Sequence, residues 1–329
     1  MTETLRWGLL STARINRAII PALRASPRNE LAAVASRDGA KAAKYAQNWQ
    51  IPRSHASYED LLADPGIDVI YNPLPNSLHA EWTIKALHAG KHVLCEKPLA
   101  ITCREVDAIT QAAQESGKVV AEAFMYRHHP QTHNVKALVD GGGLGDLRLV
   151  RGAFTFNLAR QNDVRFDPVL GGGSIWDVGC YPISYARMIL GAEPEEVFGW
   201  QMTGASGVDM LFSGQMRFPG NVYAQFDCGF CAPYRAQVEI VGSQASLTVP
   251  APFKPGAENV IYLTREDHTE SIAVKGQGLY TGEVEDMADA ALLGKQPLIS
   301  LADSRGNVAT IVALLEATRT GKPVKVEKG

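Results

Sequence analysis

The sequence carries no surplus of charge of either sign: 32 lysines and arginines stand against 35 aspartates and glutamates, a net charge of −3. Nucleic-acid proteins usually show a marked basic excess, so no nucleic-acid partner is expected. Long apolar runs are missing as well. No stretch reaches the roughly 18 residues that a membrane-spanning helix needs. The opening MTETLRWGLL lacks the basic region, the longer apolar stretch and the small-residue cleavage site of a signal peptide. Cysteine is scarce and odd in number, at Cys95, Cys103, Cys180, Cys228 and Cys231. That pattern points to reduced thiols in a cytoplasmic protein rather than to a disulfide scaffold. Cys228 and Cys231 form one CxxC without the two further ligands that a zinc site requires. His128 and His129 adjoin Pro130 with no carboxylate at metal-ligand spacing, so no metal is expected.

The chain has 329 residues, 46% of them hydrophobic, enough for about two domains with cores of their own. Up to about residue 125, short apolar runs at 5–10, 31–36, 68–72, 92–95 and 119–123 alternate with helical patterns at 14–25, 39–49, 58–63, 79–89 and 103–116. Such alternation predicts a parallel sheet covered on both faces. Beyond it, after a helix at 131–139, come longer runs in which polar and apolar residues alternate, among them LRLVRGAFTFNL, DMLFSGQMRF and AQVEIVGSQASLTV. These predict a mainly antiparallel sheet, joined by helices at 175–190, 282–293 and 304–318. The expected organisation is an α/β domain over 1–124 and an α+β domain over 125–329. Apolar residues on alternate positions of VYAQFDC and AQVEIVG suggest a face for a second subunit, hence a homodimer or homotetramer through this sheet.

The first strand ends in Gly8 and runs through Ser11, Thr12, Ala13, Arg14 and Ile15 into the first helix. A dinucleotide fold places its pyrophosphate at such a turn, where the backbone approaches closely and a helix N-terminus faces the anion. The glycine pattern is not intact: Ser11, Ala13 and Asn16 stand where further glycines are usual. Ser11 and Thr12 can cap the helix or donate to phosphate. The second strand ends in Ser36, Arg37 and Asp38. A hydroxyl and a guanidinium suit a ribose 2′-phosphate, hence NADP; Asp38 keeps NAD open, and a solvated loop arginine is the plain alternative.

The strand at 92–95 runs into Glu96-Lys97-Pro98. Ligands of doubly wound sheets sit beyond the carboxyl ends of the strands, so Lys97 is expected at the nicotinamide end, with Glu96 fixing the corner. A second constellation is GGGSIWDVGCYP, residues 171–182. Asp177 and Tyr181 are four apart and share one helical face, where an acid and a phenol can hold a sugar hydroxyl and move its proton. Pro182 predicts an irregular or late-starting helix there. A capping aspartate and a core tyrosine are the alternative.

Taken in order, the Gly8 turn, Asn72-Pro73-Leu74-Pro75-Asn76 with His79, the Glu96-Lys97-Pro98 corner, Met125-Tyr126-Arg127-His128-His129-Pro130 and the GGGSIWDVGCYP stretch resemble the Gfo/Idh/MocA oxidoreductases. The similarity is to the branch with glucose–fructose oxidoreductase, D-xylose dehydrogenase and dihydrodiol dehydrogenase. It covers essentially the whole chain. The resemblance implies an N-terminal Rossmann domain, a C-terminal domain with a large open, mainly antiparallel sheet, and NAD(P)-dependent hydride transfer on sugars. It places Lys97 and Tyr181 at the reacting carbon, with Asp177 orienting. Pro73, Leu74, Asn76, His79, Glu96 and Arg127 join the turn residues, Ser36 and Arg37 as expected cofactor contacts. Tyr126, Asn157, Arg160, Asp163, Trp176 and Tyr280, with Asn162 and Arg165, are candidates for the sugar pocket. The expected reaction is NADP-dependent oxidation of an aldopyranose at C1 to the lactone. A keto-sugar or diketone reductase, a coupled aldose–ketose oxidoreductase with retained cofactor and a nucleotide-sensing protein are the alternatives.

Overall fold

The computed structural model describes residues 4–160 and 162–327. Along the chain run β1 (Leu5–Leu10), α1 (Asn16–Ala25), β2 (Asn29–Ala35), α2 (Gly39–Trp49), β3 (Arg53–His55), α3 (Tyr58–Ala63), β4 (Val69–Asn72), α4 (His79–His88), β5 (His92–Glu96), α5 (Cys103–Ser116) and β6 (Val120–Ala123). There follow α6 (Pro130–Asp140), β7 (Leu147–Asn157), a π-turn at Ile175–Gly179, α7 (Cys180–Leu190), β8 (Glu196–Thr203), β9 (Asp209–Phe218), β10 (Val222–Gly229), β11 (Cys231–Gly242), β12 (Ser246–Val249), β13 (Glu258–Arg265), β14 (His268–Lys275), α8 (Thr281–Leu293), α9 (Leu301–Thr320) and β15 (Val324–Lys325). The chain forms two compact units, one of residues through Met125 with Tyr280–Ser304, the other of Tyr126–Leu279 with the residues from Arg305 on.

The first unit is a parallel sheet in the order β3-β2-β1-β4-β5-β6, whose order reverses between β1 and β4. In such sheets ligands bind outside the strand ends at that reversal. Its helices start and stop on local signals: Asp38 and Ser57 cap α2 and α3, Thr102 and Glu105 form a capping box on α5, and Gly117 closes α5 in a left-handed conformation. Trp7, Leu9, Val34, Val69, Tyr71 and Leu94 are fully buried on the sheet. The helix expected at 282–293, grouped by chain position with the second domain, instead completes this core. Val284, Met287 and Ala288 of α8 pack with Ile19, Leu23 and Tyr71. Arg28 Nε donates to Glu285 at 2.9 Å and Arg28 Nη1 to Asp289 at 2.6 Å, which fixes α8 against the start of β2. Periodicity shows that a helix has an apolar face but not which sheet it covers.

The second unit is a nine-stranded sheet, β14-β13-β12-β11-β7-β10-β9-β8-β15. Every neighbouring pair is antiparallel except β10 with β7. One face is covered: Ala224, Phe226, Cys228, Ala236, Val238 and Ile240 are buried, and α7 lies on β7 so closely that a side chain at Gly152 would meet Pro182. These are the apolar positions of VYAQFDC and AQVEIVG that suggested a subunit contact. Those positions are therefore covered by the chain's own helix α7 and are not left open for a second subunit. The opposite face carries Gln225, Gln237 and the ion pairs Arg235–Asp227 at 2.6 Å and Arg151–Glu239 at 3.4 Å, with Trp200 and Tyr223 exposed. Among the described residues no helix is long and apolar enough to cross a membrane.

Candidate active site

In the first unit the expected cofactor contacts gather at the carboxyl ends of β1, β2, β4 and β5. After β1 the chain turns at Ser11 with φ of 134°, a conformation that glycine takes freely and other residues take at a cost. Ala13 N donates to Ser11 Oγ at 3.2 Å, and the buried Asn16 donates its amide to the Ser11 carbonyl at 2.8 Å. Asn16 thus does by hydrogen bonding what a glycine does by freedom. Helix α1 has no side-chain cap and no acid in its first turn, so no carboxylate opposes the positive end of its dipole at the turn. Ser11, Thr12, Ala13 and Ile15 are half-buried and Arg14 is exposed. The turn fits a dinucleotide pyrophosphate. Gly8 is small for another reason: a side chain there would meet Leu61 at 2.9 Å, where α3 packs on β1.

At the tip of β2, Ser36 is buried and its hydroxyl accepts from Asp38 N at 3.3 Å. The Asp38 carboxylate accepts from Lys41 N at 3.1 Å as the cap of α2. The one acid that kept NAD open therefore caps its own helix, and exposed Arg37, hydrogen-bonded to Tyr58, is the cationic group at the tip.

Beyond β4, buried Asn72 accepts from Leu74 N at 3.3 Å and donates to the His79 carbonyl at 3.1 Å. His79 is 1% exposed, and its Nδ1 and Nε2 lie 2.7 Å from the carbonyl oxygens of Pro98 and Leu74. Burial pushes the imidazole down to about 4, against the pull of those two acceptors. Both ring nitrogens are spent inside the unit, so His79, expected among the cofactor contacts, ties the Pro73-Leu74 segment to the Glu96-Lys97-Pro98 corner. Pro73 and Leu74 are buried and Asn76 half-buried at the start of a short 3₁₀ turn. At the corner, Tyr71 donates to Glu96 at 2.5 Å, Leu99 N donates to Glu122 at 2.9 Å, and Lys97, half-buried, precedes Pro98 through a cis peptide.

Tyr280, expected in the sugar pocket, opens α8 in this unit and faces Glu96 and Glu283. Glu283 is 1% exposed, and neither of its carboxyl oxygens meets a hydrogen-bond partner among the described residues. Burial first, then the charges of Glu96 and Asp286, push its carboxyl well above the usual carboxylate range. Sequence reasoning missed this residue: an acid in the first turn of a helix reads as a solvated dipole partner.

In the second unit the stretch around Pro182 is irregular, as expected: the π-turn passes directly into α7. A π-turn carries one extra residue per turn and is frequent at functional sites. Half-buried Asp177 on it accepts from Arg165 Nε at 2.6 Å. Arg165 Nη1 donates to Asp163 at 3.1 Å, and Arg160 donates to the same carboxylate at 3.1 Å. Four expected pocket residues therefore form one alternating chain of charges, and the Asp177 charge first of all pushes the Arg165 guanidinium further up. Tyr181 is 4% exposed and packs against Phe154, Phe253 and Tyr126 at ring distances of 5.3, 5.6 and 5.8 Å. Tyr126, expected to touch the sugar, is fully buried and donates to Ser184 Oγ at 2.9 Å. Its part is to back Tyr181. Arg127 donates to the same hydroxyl at 3.3 Å. Trp176 is buried, and Asn157 is exposed at the end of β7.

Two family descriptions match the chain: an oxidoreductase family with an NAD-binding Rossmann fold over residues 5–124, and the Gfo/Idh/MocA C-terminal domain over residues 132–248. The chain is 36% identical to the D-xylose 1-dehydrogenase (NADP(+)) 2 of Haloferax volcanii, covering 98% of this chain and 100% of that one. It is 33% identical to the dTDP-3,4-didehydro-2,6-dideoxy-α-D-glucose 3-reductase of Actinomadura kijaniata, over 96% of this chain and 95% of that one. A crystal structure of a 3-ketoreductase from Actinomadura kijaniata with NADP and TDP-benzene is similar at a TM-score of 0.92 and 32% identity, covering 96% of this chain and 98% of that one. Further structures of that reductase carry substitutions at a tyrosine and at a lysine, and these two positions are as far apart along it as Lys97 and Tyr181 are here.

Proposed function

The chain belongs to the Gfo/Idh/MocA family of oxidoreductases, and from that premise we propose that it is an NADP-dependent sugar dehydrogenase that oxidises an aldopyranose at C1 to the lactone. The observation that carries this reading is a lysine immediately past the carboxyl end of β5 and a tyrosine just after the π-turn, at the spacing substituted in the related reductase. Full-length likeness to a xylose dehydrogenase supports an aldose as substrate.

NADP when bound supplies the hydride acceptor for C1. The turn after β1 would hold its pyrophosphate, and Ser36 with Arg37 would hold its 2′-phosphate, where a guanidinium offers several charge-assisted donors. Tyr181 takes the proton of the C1 hydroxyl as general base. A phenol is a weak base at neutral pH, so the phenolate has to be favoured. Lys97 supplies the positive charge that does so. Asp177, oriented by Arg165, accepts a hydrogen bond from a sugar hydroxyl. Self-association through the open face of the nine-stranded sheet, where Trp200 and Tyr223 are exposed, is part of the same reading.

The test is turnover of pentoses and hexoses with NADP⁺, followed by nicotinamide absorbance and by chromatography of the product. A lactone or aldonic acid from at least one aldose is expected. Turnover of ketosugars alone, with NADPH, would select the second reading, a sugar ketoreductase, which the likeness to 3-reductases favours.

A further inference from the structure

The π-turn is held from below by a residue that no step of the proposed reaction uses. Asp209 opens β9 and is 4% exposed. Its Oδ2 accepts from Ser174 Oγ at 2.5 Å and from Ile175 N at 2.8 Å. Its Oδ1 lies against Gly173, whose φ of 120° only glycine adopts easily and where any side chain would collide with the carboxylate. Further along the turn, a side chain at Gly179 would meet Cys228 Sγ at 2.8 Å, and Ser174 Oγ lies 3.7 Å from the same sulfur. The start of the turn is therefore clamped to β9 by a buried carboxylate, while its end rests on β10.

A buried carboxylate is costly unless hydrogen-bonded, and Asp209 spends its acceptors on the first residues of one turn. We propose that Asp209 is a positioning residue: by clamping Gly173, Ser174 and Ile175 it fixes the phase at which the chain enters the π-turn, and so where Tyr181 presents its hydroxyl, whereas Asp177 is held separately by Arg165. A turn with an extra residue can relax into a regular α-helix, which rotates every following side chain by about 100°. Asp209 holds the wide form. The inference rests on the reading of Tyr181 as the general base.

The test compares Asp209→Asn, Ser174→Ala and Tyr181→Phe in the full chain, on the aldose that the wild type turns over fastest. Asn replaces one acceptor by an amide donor that faces other donors; Ala removes a single hydrogen bond and leaves the core filled. A displacement of about 1 Å at the reacting groups costs on the order of a hundredfold in rate. Asp209→Asn is expected to lower kcat about ten- to a hundredfold and Ser174→Ala by less, with KM for the sugar and Kd for NADP⁺ each within about twofold. A lower Tm with kcat unchanged in both variants would mean that Asp209 only stabilises the fold and would overturn the proposal. If Asp209→Asn does not fold, Ser174→Ala decides: wild-type kcat overturns the proposal, a reduced kcat at unchanged KM supports it. Loss of turnover in Tyr181→Phe alone sinks the positioning role but not the proposed function; full turnover in Tyr181→Phe sinks both.

Discussion

Arg165 donates through Nε to the carboxylate of Asp177 at 2.6 Å and holds with its other arm the nearly buried Asp163. Asp177 is thereby an oriented acceptor and not a free base, in keeping with the proposal that Tyr181 takes the proton. Arg165→Met removes both contacts. Hydrogen bonds to charged groups contribute about 1.5–3 kcal/mol each when well made, and Arg165 is partly exposed, so a loss of about 1–2 kcal/mol is expected in urea unfolding. The KM for the sugar should rise with it. An unchanged KM would show that Asp177 keeps its place without Arg165.

Cofactor choice turns on the tip of β2. Arg37→Ala should lower kcat/KM for NADP⁺ about tenfold or more, since a charge-assisted contact to phosphate is lost, and leave NAD⁺ nearly unaffected. Steady-state kinetics with both cofactors measures this. Equal losses for both would place Arg37 outside the 2′-phosphate contact.

The upward shift of the Glu283 carboxyl makes stability depend on pH. The folded chain holds its carboxyl well above the ordinary value of 4.5. Above that value the unfolded chain releases a proton that the folded chain keeps, so stability falls as pH rises. Glu283→Gln removes this drain. Its stability relative to the wild type should rise with pH over the range just above that value, by up to about 1.4 kcal/mol per pH unit, read from urea unfolding. A constant difference across that range would mean that Glu283 is ionised in the folded chain.

Much of the fold was legible because its signals are local. Helices α2 and α5 begin and end where the sequence placed them, since Asp38 and Thr102 cap them and Gly117 ends the second. Strand β3 and strand β14 were not legible: the first has three residues, and the second is mostly exposed and lacks the alternation that marks a covered face. Lys97 and Tyr181 stand in motifs with a fixed order of small and polar residues. Asp209 and Glu283 do not, because a lone acid at a strand start or in the first turn of a helix looks solvated until the chain buries it. Tyr126 failed the other way: a tyrosine near a strand end looked available, and its ring lies in the aromatic cluster behind Tyr181.

The most direct measurement is kcat for Lys97→Met, Tyr181→Phe and the double variant on one aldose with NADP⁺. Groups that act in one proton transfer lose far less together than the sum of their single losses. Each single variant is expected to fall about 10²–10⁴-fold, with NADP⁺ affinity little changed and the double variant hardly lower than the worse single one. Near-wild-type turnover in either single variant, or fully additive losses, would contradict the account.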